Sequence, residues 1–312
     1  MDRADIEAAH ARIAPHVRRT PLMETLGPAG APISLKLEFL QHTGSFKPRG
    51  AFNNLLTRHI PAAGVAAASG GNHGAAVAYA ASRLGIPARV FVPEIAAAVK
   101  IEKIRAYGAD IHIEGKTYFD ALALCKAYVA ESGALGLHAY DAEQTIAGQG
   151  TVGLEWERDL ETSGEAKLDT VLVAVGGGGL VSGIAAWFEG RTKVVGVEPE
   201  GSRALHAALA AGEPVDVAVQ SVAADSLGAR RVGALNFEIC RRFVDHVALV
   251  SDDAIRAAQM ALWREFNIVA EPGGAAAYAA LASGAYAPGR NERVGVLLCG
   301  ANADAGAVGG LR

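Results

Sequence analysis

Thr43-Gly44-Ser45-Phe46-Lys47-Pro48-Arg49-Gly50 joins a strand-like run at residues 33–39 to a helix-like run at residues 50–56. A lysine at such a turn projects its amine into the crevice at the carboxyl end of a sheet, where α/β proteins bind ligands. Walled off from water, that amine loses its proton and attacks a carbonyl to form a Schiff base. A lysine at a helix start is ordinarily a solvated surface residue. The rest of the chain decides between the two readings.

Outward from this turn, strand and helix patterns alternate at the interval a parallel sheet requires. A helix is expected over 3–16, capped by Asp2, with an extended segment after Thr20-Pro21. Strands are expected at 65–68, 87–92, 110–113, 170–175, 193–197 and 293–298. Helices are expected at 48–57, 72–84, 97–107, 118–132, 141–160, 180–189, 203–211, 235–244 and 252–266. The run Thr170-Val171-Leu172-Val173-Ala174-Val175 is nearly unbroken in apolar character, which suits a central strand covered on both faces. The expected architecture is α/β, with a small domain at 64–137 inserted into a large one at 1–63 and 138–312.

Composition narrows the function classes. The 312 residues are 51% hydrophobic, enough for a large core, and the net charge is −4 with no basic block, against a nucleic-acid partner. Cys125, Cys240 and Cys299 form no CxxC pair, against a disulfide scaffold or zinc site and for a reducing cytoplasm. The nine histidines include no HExxH pair. The N-terminal stretch lacks the basic and apolar regions of a secretory signal. The Ala-rich segment 273–287 is too short and too punctuated to span a membrane.

Three loops at strand ends carry chemistry. Gly176-Gly177-Gly178-Gly179 follows the central strand and opens a helix, so its main chain can wrap an anion at a favourable dipole. A Walker loop needs Gly-Lys-Ser/Thr at its end, and Leu180-Val181-Ser182 stands there instead. The Gly-x-Gly-x-x-Gly fingerprint fails in both registers, at Val181 and at Ser182. A small phosphate held without metal is the best functional reading, against a plain tight turn. Ser69-Gly70-Gly71-Asn72-His73-Gly74 is a second anion cradle, or simply a good helix-capping turn. Cys299 ends the last strand, where a buried cysteine is commonly core filler. Together, a phosphate loop, an amine and a neutral group at a strand end fit pyridoxal 5'-phosphate, with the phosphate on the glycines, the aldehyde on Lys47 and the ring nitrogen facing Cys299. Composition alone leaves that ligand as one option among several.

At these residues the sequence resembles the serine/threonine dehydratase group of fold-type II pyridoxal-phosphate enzymes, which is related to serine racemase. The motifs KLEFLQHTGSFKPRGAFN, ASGGNHG, AGQGT, VGGGGL, VEPEG, AEPGGA and LLCGANAD occur in the family's order over about residues 5–310. The resemblance implies Lys47 as the Schiff-base lysine and base at the α-carbon, and Phe46 as the residue packed beside the ring. It implies Asn72 as partner of the phenolic oxygen, and Gly176, Gly177, Gly178 and Gly179 as the phosphate loop. Cys299 stands against the pyridine nitrogen, and Ser69, Gly71, Asn72 and His73 match the loop that binds the substrate carboxylate. The implied activity is dehydration and deamination of a β-hydroxy amino acid, L-threonine to 2-oxobutanoate or L-serine to pyruvate. A neutral group at the ring nitrogen suits elimination better than a long-lived carbanion. A homodimer is usual in such a family, and the cysteine usage points to the cytoplasm.

Departures from the pattern sharpen the expectation. Racemases of the group resemble this chain but carry a serine as second acid/base where Gly70 stands, which favours dehydration over racemisation. Glu198 matches a cation ligand, but Ala204 occupies the place of the next acidic one, so no metal site is expected. Ala224-Asp225-Ser226 replaces the usual Ala-Asp-Gly, and Arg230 or Arg231 would suit an acidic substrate such as 3-hydroxyaspartate. Transferases of the β-replacement kind differ at both the lysine and the carboxylate loops. A non-catalytic phosphate sensor is opposed by the intact Lys47. With the chain stopping at 312, the expectation is a catalytic unit without a regulatory domain.

Overall fold

The computed structural model of the chain describes residues 1–96 and 98–303. Its first half runs α1 (Arg3–Ile13), β1 (Leu22–Leu26), β2 (Pro32–Lys36), α2 (Lys47–Thr57), β3 (Val65–Ala68), α3 (Asn72–Arg83), β4 (Ala88–Val92), α4 (Ala98–Ala106), β5 (Asp110–Ile113), α5 (Tyr118–Ser132) and β6 (Leu135–Gly136). The second half runs α6 (Glu143–Ser163), β7 (Thr170–Ala174), α7 (Gly179–Phe188), β8 (Lys193–Pro199), α8 (Ala204–Ala211), α9 (Ala224–Leu227), α10 (Ala234–Phe243), β9 (Val244–Val250), α11 (Asp252–Phe266), α12 (Pro272–Ala282) and β10 (Val294–Leu297). The expected helix start at Ala97, and Asp304 with the rest of the chain, lie outside the described residues.

The strands form a six-stranded sheet in the order β1-β2-β10-β7-β8-β9 and a four-stranded sheet in the order β5-β4-β3-β6. Every strand pair is parallel except the β1–β2 edge. The apolar run at β7 is buried throughout and lies between β10 and β8, as expected of a strand covered on both faces. Around it Trp156, Leu172, Trp187 and Val296 pack in the main core. Register then positions the chemistry. β10 runs parallel to β2 with Leu297 opposite Lys36, so their ends are level. Beyond them Ser45 and Gly300 form an isolated bridge, which sets the lysine turn beside the end of β10.

Several boundaries differ from expectation. The strand expected over 33–39 stops at Lys36, and the chain winds through two short 3-10 turns, Glu38–Leu40 and His42–Gly44. Glu38 is pulled out of the strand path by Arg49, whose Nε donates to Glu38 Oε1 at 2.5 Å. α2 begins at Lys47 itself. β9 is not among the expected strands, because Asp245 and His246 interrupt its apolar character; both are exposed at the sheet edge. The Ala-rich stretch forms α12, buried along most of its length. Among the described residues no helix is long and apolar enough to cross a membrane.

Candidate active site

The loops after β2, β3, β7 and β10 come together at one place, where Lys47 meets Ala139, Tyr140 packs on the glycine loop and Asn72 meets Asn302. Lys47 opens α2, with Pro48 next, where a missing N–H costs nothing. Its Nζ donates to the Ala139 carbonyl at 2.8 Å and lies 5.0 Å from the centre of the Phe46 ring. Burial pushes the amine down to about 8, against the opposing pull of Cys299 and Glu271. The neutral, nucleophilic form is therefore accessible near neutral pH.

The glycine loop follows β7. Gly178 has φ +99°, and no side chain caps the N-terminus of α7, so the free N–H groups of its first turn are left for a ligand. A Cβ on Gly177 would stand 2.4 Å from the Tyr140 ring, and one on Gly179 would stand 2.9 Å from the Tyr140 carbonyl oxygen. Tyr140 thus walls one side of the loop, a role the sequence did not disclose. Asn236 braces it, donating from Nδ2 to the Gly177 carbonyl at 3.0 Å and accepting from Ser182 Oγ at 2.6 Å.

The loop after β3 leads into α3, whose N-terminus also lacks a side-chain cap. Ser69 Oγ accepts from the Gly71 N–H at 3.2 Å. His73 is buried, and its Nε2 lies 3.1 Å from the Leu137 carbonyl. A carbonyl only accepts, so Nε2 carries the proton. Burial, reinforced by Lys47, pushes His73 down to about 3, so the ring is neutral. Its side chain is committed to Leu137; what it offers a carboxylate is its main-chain N–H at the start of α3. At Gly70, a Cβ would meet Ala96 Cβ at 2.6 Å and Val92 Cγ1 at 3.0 Å.

Cys299 lies beside the lysine turn, its carbonyl accepting from the Phe46 N–H at 3.2 Å. Its Sγ is 3.7 Å from the Gly273 carbonyl, and burial pushes the thiol up to about 12, so it stays a neutral group. Glu271, at the start of α12, is the main residue that sequence reasoning missed. The AEPGGA motif contains it, but nothing local singles it out. Its Oε1 accepts from Asn72 Nδ2 at 2.6 Å, and burial raises its pKa, with Lys100, Asn72, Lys103 and Lys47 restraining the rise. Asn302 Nδ2 donates to Asn72 Oδ1 at 2.6 Å and to the Thr43 carbonyl at 2.8 Å.

Three side-chain atoms around this cleft, Thr43 Oγ1, Ser45 Oγ and Glu271 Oε2, are buried with no hydrogen-bond partner among the described residues. Buried polar atoms are seldom left unpaired, so these mark room for a polar ligand. With a displaceable lysine amine and an uncapped glycine cradle, they fit pyridoxal phosphate. Comparison with known proteins agrees: the family model described as pyridoxal-phosphate dependent enzyme matches residues 13–300. The chain belongs to the pyridoxal-phosphate dependent enzyme family.

Among its relatives, phenylserine dehydratase from Ralstonia pickettii is 40% identical, over 97% of this chain and 94% of that protein. L-threonine ammonia-lyase from Geobacter sulfurreducens is 37% identical, over 88% of this chain and 69% of that protein. Of solved structures, the T.th. threonine deaminase superposes with a TM-score of 0.90 at 37% identity, covering 97% of this chain and 99% of that one. Maize serine racemase superposes with a TM-score of 0.89 at 33% identity, covering 98% of this chain and 94% of that one. The fold is thus that of fold-type II pyridoxal-phosphate enzymes, and the chain is an enzyme of that class with pyridoxal 5'-phosphate as cofactor.

For this family member, the outlying sequence candidates fall as follows. Glu198 caps α8, its two oxygens accepting from the Leu205 and His206 N–H groups at 2.8 Å each. Arg231 is exposed and donates to Asp216 at 2.7 Å. Arg230 lies over the Phe119 ring, 5.3 Å from its centre. Asp225 pairs with Lys100, which ties α9 to α4 across the cleft.

Proposed function

We propose that the chain is an ammonia-lyase that dehydrates and deaminates a β-hydroxy amino acid, L-threonine or L-serine. The observation that carries the reading is the pairing of a buried, readily deprotonated Lys47 with Gly70 on the carboxylate loop. Lys47 would hold the cofactor's aldehyde, and its neutral amine would serve as the base that takes the α-proton of the substrate. Gly70 has no proton to give, which supports elimination over racemisation. Bound pyridoxal phosphate supplies the electron sink for the pair left at the α-carbon.

The remaining residues bind and orient. The N–H groups of Gly176, Gly177, Gly178 and Gly179 take the phosphate. Cys299, neutral at physiological pH, would stand against the ring nitrogen, and Phe46 would pack beside the ring. Ser69, Gly71, Asn72 and His73 would hold the substrate carboxylate, Gly71 by giving up the N–H bond it makes to Ser69 Oγ, and Asn72 would also meet the phenolic oxygen. The small domain at 64–137 carries the carboxylate loop and the large domain carries the lysine and phosphate loops.

A second reading, a β-aryl substrate, is favoured by the Ralstonia pickettii phenylserine dehydratase, whose similarity extends over nearly both whole chains. The 3-hydroxyaspartate reading loses support, since Arg231 is engaged by Asp216 and Arg230 by Phe119. The test is 2-oxo acid release from a panel of L-threonine, L-serine, L-threo-phenylserine and 3-hydroxyaspartate. L-Threonine or L-serine is expected to give the highest kcat/KM. Faster turnover of phenylserine selects the second reading, and D-serine accumulating from L-serine at a comparable rate overturns the Gly70 reasoning.

A further inference from the structure

Lys103 lies on α4, which packs with the smaller sheet, yet its ammonium reaches two loops of the larger one. It donates to the Thr43 carbonyl at 2.9 Å and to Asn302 Oδ1. From Asn302 the chain of hydrogen bonds continues to Asn72, and from Asn72 to Glu271.

The two amides in the middle of this chain have no orientation of their own. The oxygen and nitrogen of a carboxamide are close in size, and only partners tell them apart. The outer partners do so here. An ammonium only donates, and a main-chain carbonyl only accepts. Asn302 must therefore turn its oxygen to Lys103 and its nitrogen to Thr43. That nitrogen also donates to Asn72 Oδ1, which makes the Asn72 oxygen an acceptor and leaves Asn72 Nδ2 to donate. One N–H of Nδ2 goes to Glu271 Oε1, and the second has no partner among the described residues. The turn is shaped round the same pair: a Cβ on Gly44, at φ +73°, would stand 2.6 Å from Asn302 Oδ1 and 3.3 Å from Lys103 Nζ.

We propose that Lys103 is a positioning residue: it fixes the amide orientation of Asn302 and, through it, the N–H that Asn72 presents to the cofactor. This rests on the reading of Asn72 as a cofactor-binding residue. Without Lys103, Asn302 Oδ1 loses its donor, and the amide pair is held at the Thr43 and Glu271 ends alone.

The test titrates cofactor-free protein with pyridoxal phosphate, following tryptophan fluorescence and the visible circular dichroism of the bound cofactor. Lys103→Met is expected to bind about tenfold more weakly and to give a weaker dichroic band. The melting temperature of its cofactor-free form should stay within about 3 °C of wild type. Lys103→Arg, also donor-only, should restore both binding and dichroism. Wild-type affinity and dichroism in Lys103→Met, alongside weakened binding in Asn72→Ala, overturns the proposal alone. Unchanged binding in Asn72→Ala overturns the reading of Asn72 and the proposal with it. If Lys103→Met does not fold, Lys103→Gln, which keeps one donor group, must fall between wild type and Asn72→Ala; wild-type binding there overturns the proposal.

Discussion

Two buried polar clusters sit on either side of the lysine turn, and they are built differently. Beneath the turn, Arg49 donates to Glu38 at 2.5 and 3.0 Å and to Glu155 at 3.1 Å through each of two nitrogens. Lys36 donates to Glu155 at 2.8 Å, to Asp159 at 3.0 Å and to the Thr20 carbonyl at 2.8 Å. Thr20 Oγ1 closes the set on Glu38 at 2.7 Å. Burial alone would raise Glu155, but Arg49 and Lys36 outweigh it and hold the carboxylate low. Above the turn, Thr43 Oγ1, Ser45 Oγ and Glu271 Oε2 are buried without partners among the described residues, where the one hydrogen bond from the Lys47 amine goes to the Ala139 carbonyl. A closed network is a scaffold that fixes one arrangement. An open one leaves hydrogen bonds still to be made, as a ligand would make them under the function proposed above.

The sharpest way to break this contrast is at Lys47. Lys47→Ala should lower turnover by about a thousandfold or more and abolish the visible band of the bound cofactor, with the cofactor-free fold intact by circular dichroism. A fully active variant would sink the proposal for this site. Two residues on, Arg49→Met should act through stability, since it leaves Glu38 in the interior without its ion-pair partner and Glu155 with Lys36 alone. The expected loss is about 3–5 kcal/mol by denaturant unfolding; a loss under about 1 kcal/mol would mean the lower cluster is no scaffold.

The pH dependence of cofactor capture sharpens the same distinction. Below about 8 the Lys47 amine is mostly protonated. The capture rate should fall about tenfold for each pH unit below that point and level off above it. A flat profile from about pH 6 to 9 would argue against a neutral lysine as the attacking group. Glu271→Gln should have the smallest effect on folding. It removes a buried carboxylate with one idle oxygen, so the cofactor-free protein should keep its stability to within about 1 kcal/mol or gain slightly, while cofactor affinity falls. A stability loss as large as that of Arg49→Met would erase the difference between the two clusters.

The loops were legible in the sequence because a run of glycines and asparagines at the end of an apolar strand bares main-chain N–H groups whatever packs around it. TVLVAV followed by four glycines marks both the central strand and the uncapped helix start that follows it. The lower cluster was not legible. Lys36, Glu38 and Arg49 are spaced as surface charges commonly are, and nothing local says that Glu155 and Asp159 on α6 will meet them. Glu271, Tyr140 and Asn302 were hidden for a related reason. Their roles arise from contacts between distant parts of the chain or from the path of a loop, which periodicity does not encode. His73 shows the converse: its position in the loop was readable, but the commitment of its ring to Leu137 was not.

The space around position 70 bears on how such an enzyme changes over generations. Any side chain there first meets Ala96 Cβ and Val92 Cγ1, before it meets a substrate. A substitution at Gly70 alone is therefore penalised by packing, and a shift of the loop that carries Ala96 alone gains nothing. A proton-bearing side chain at this site requires Ala96 and Val92 to give way around it.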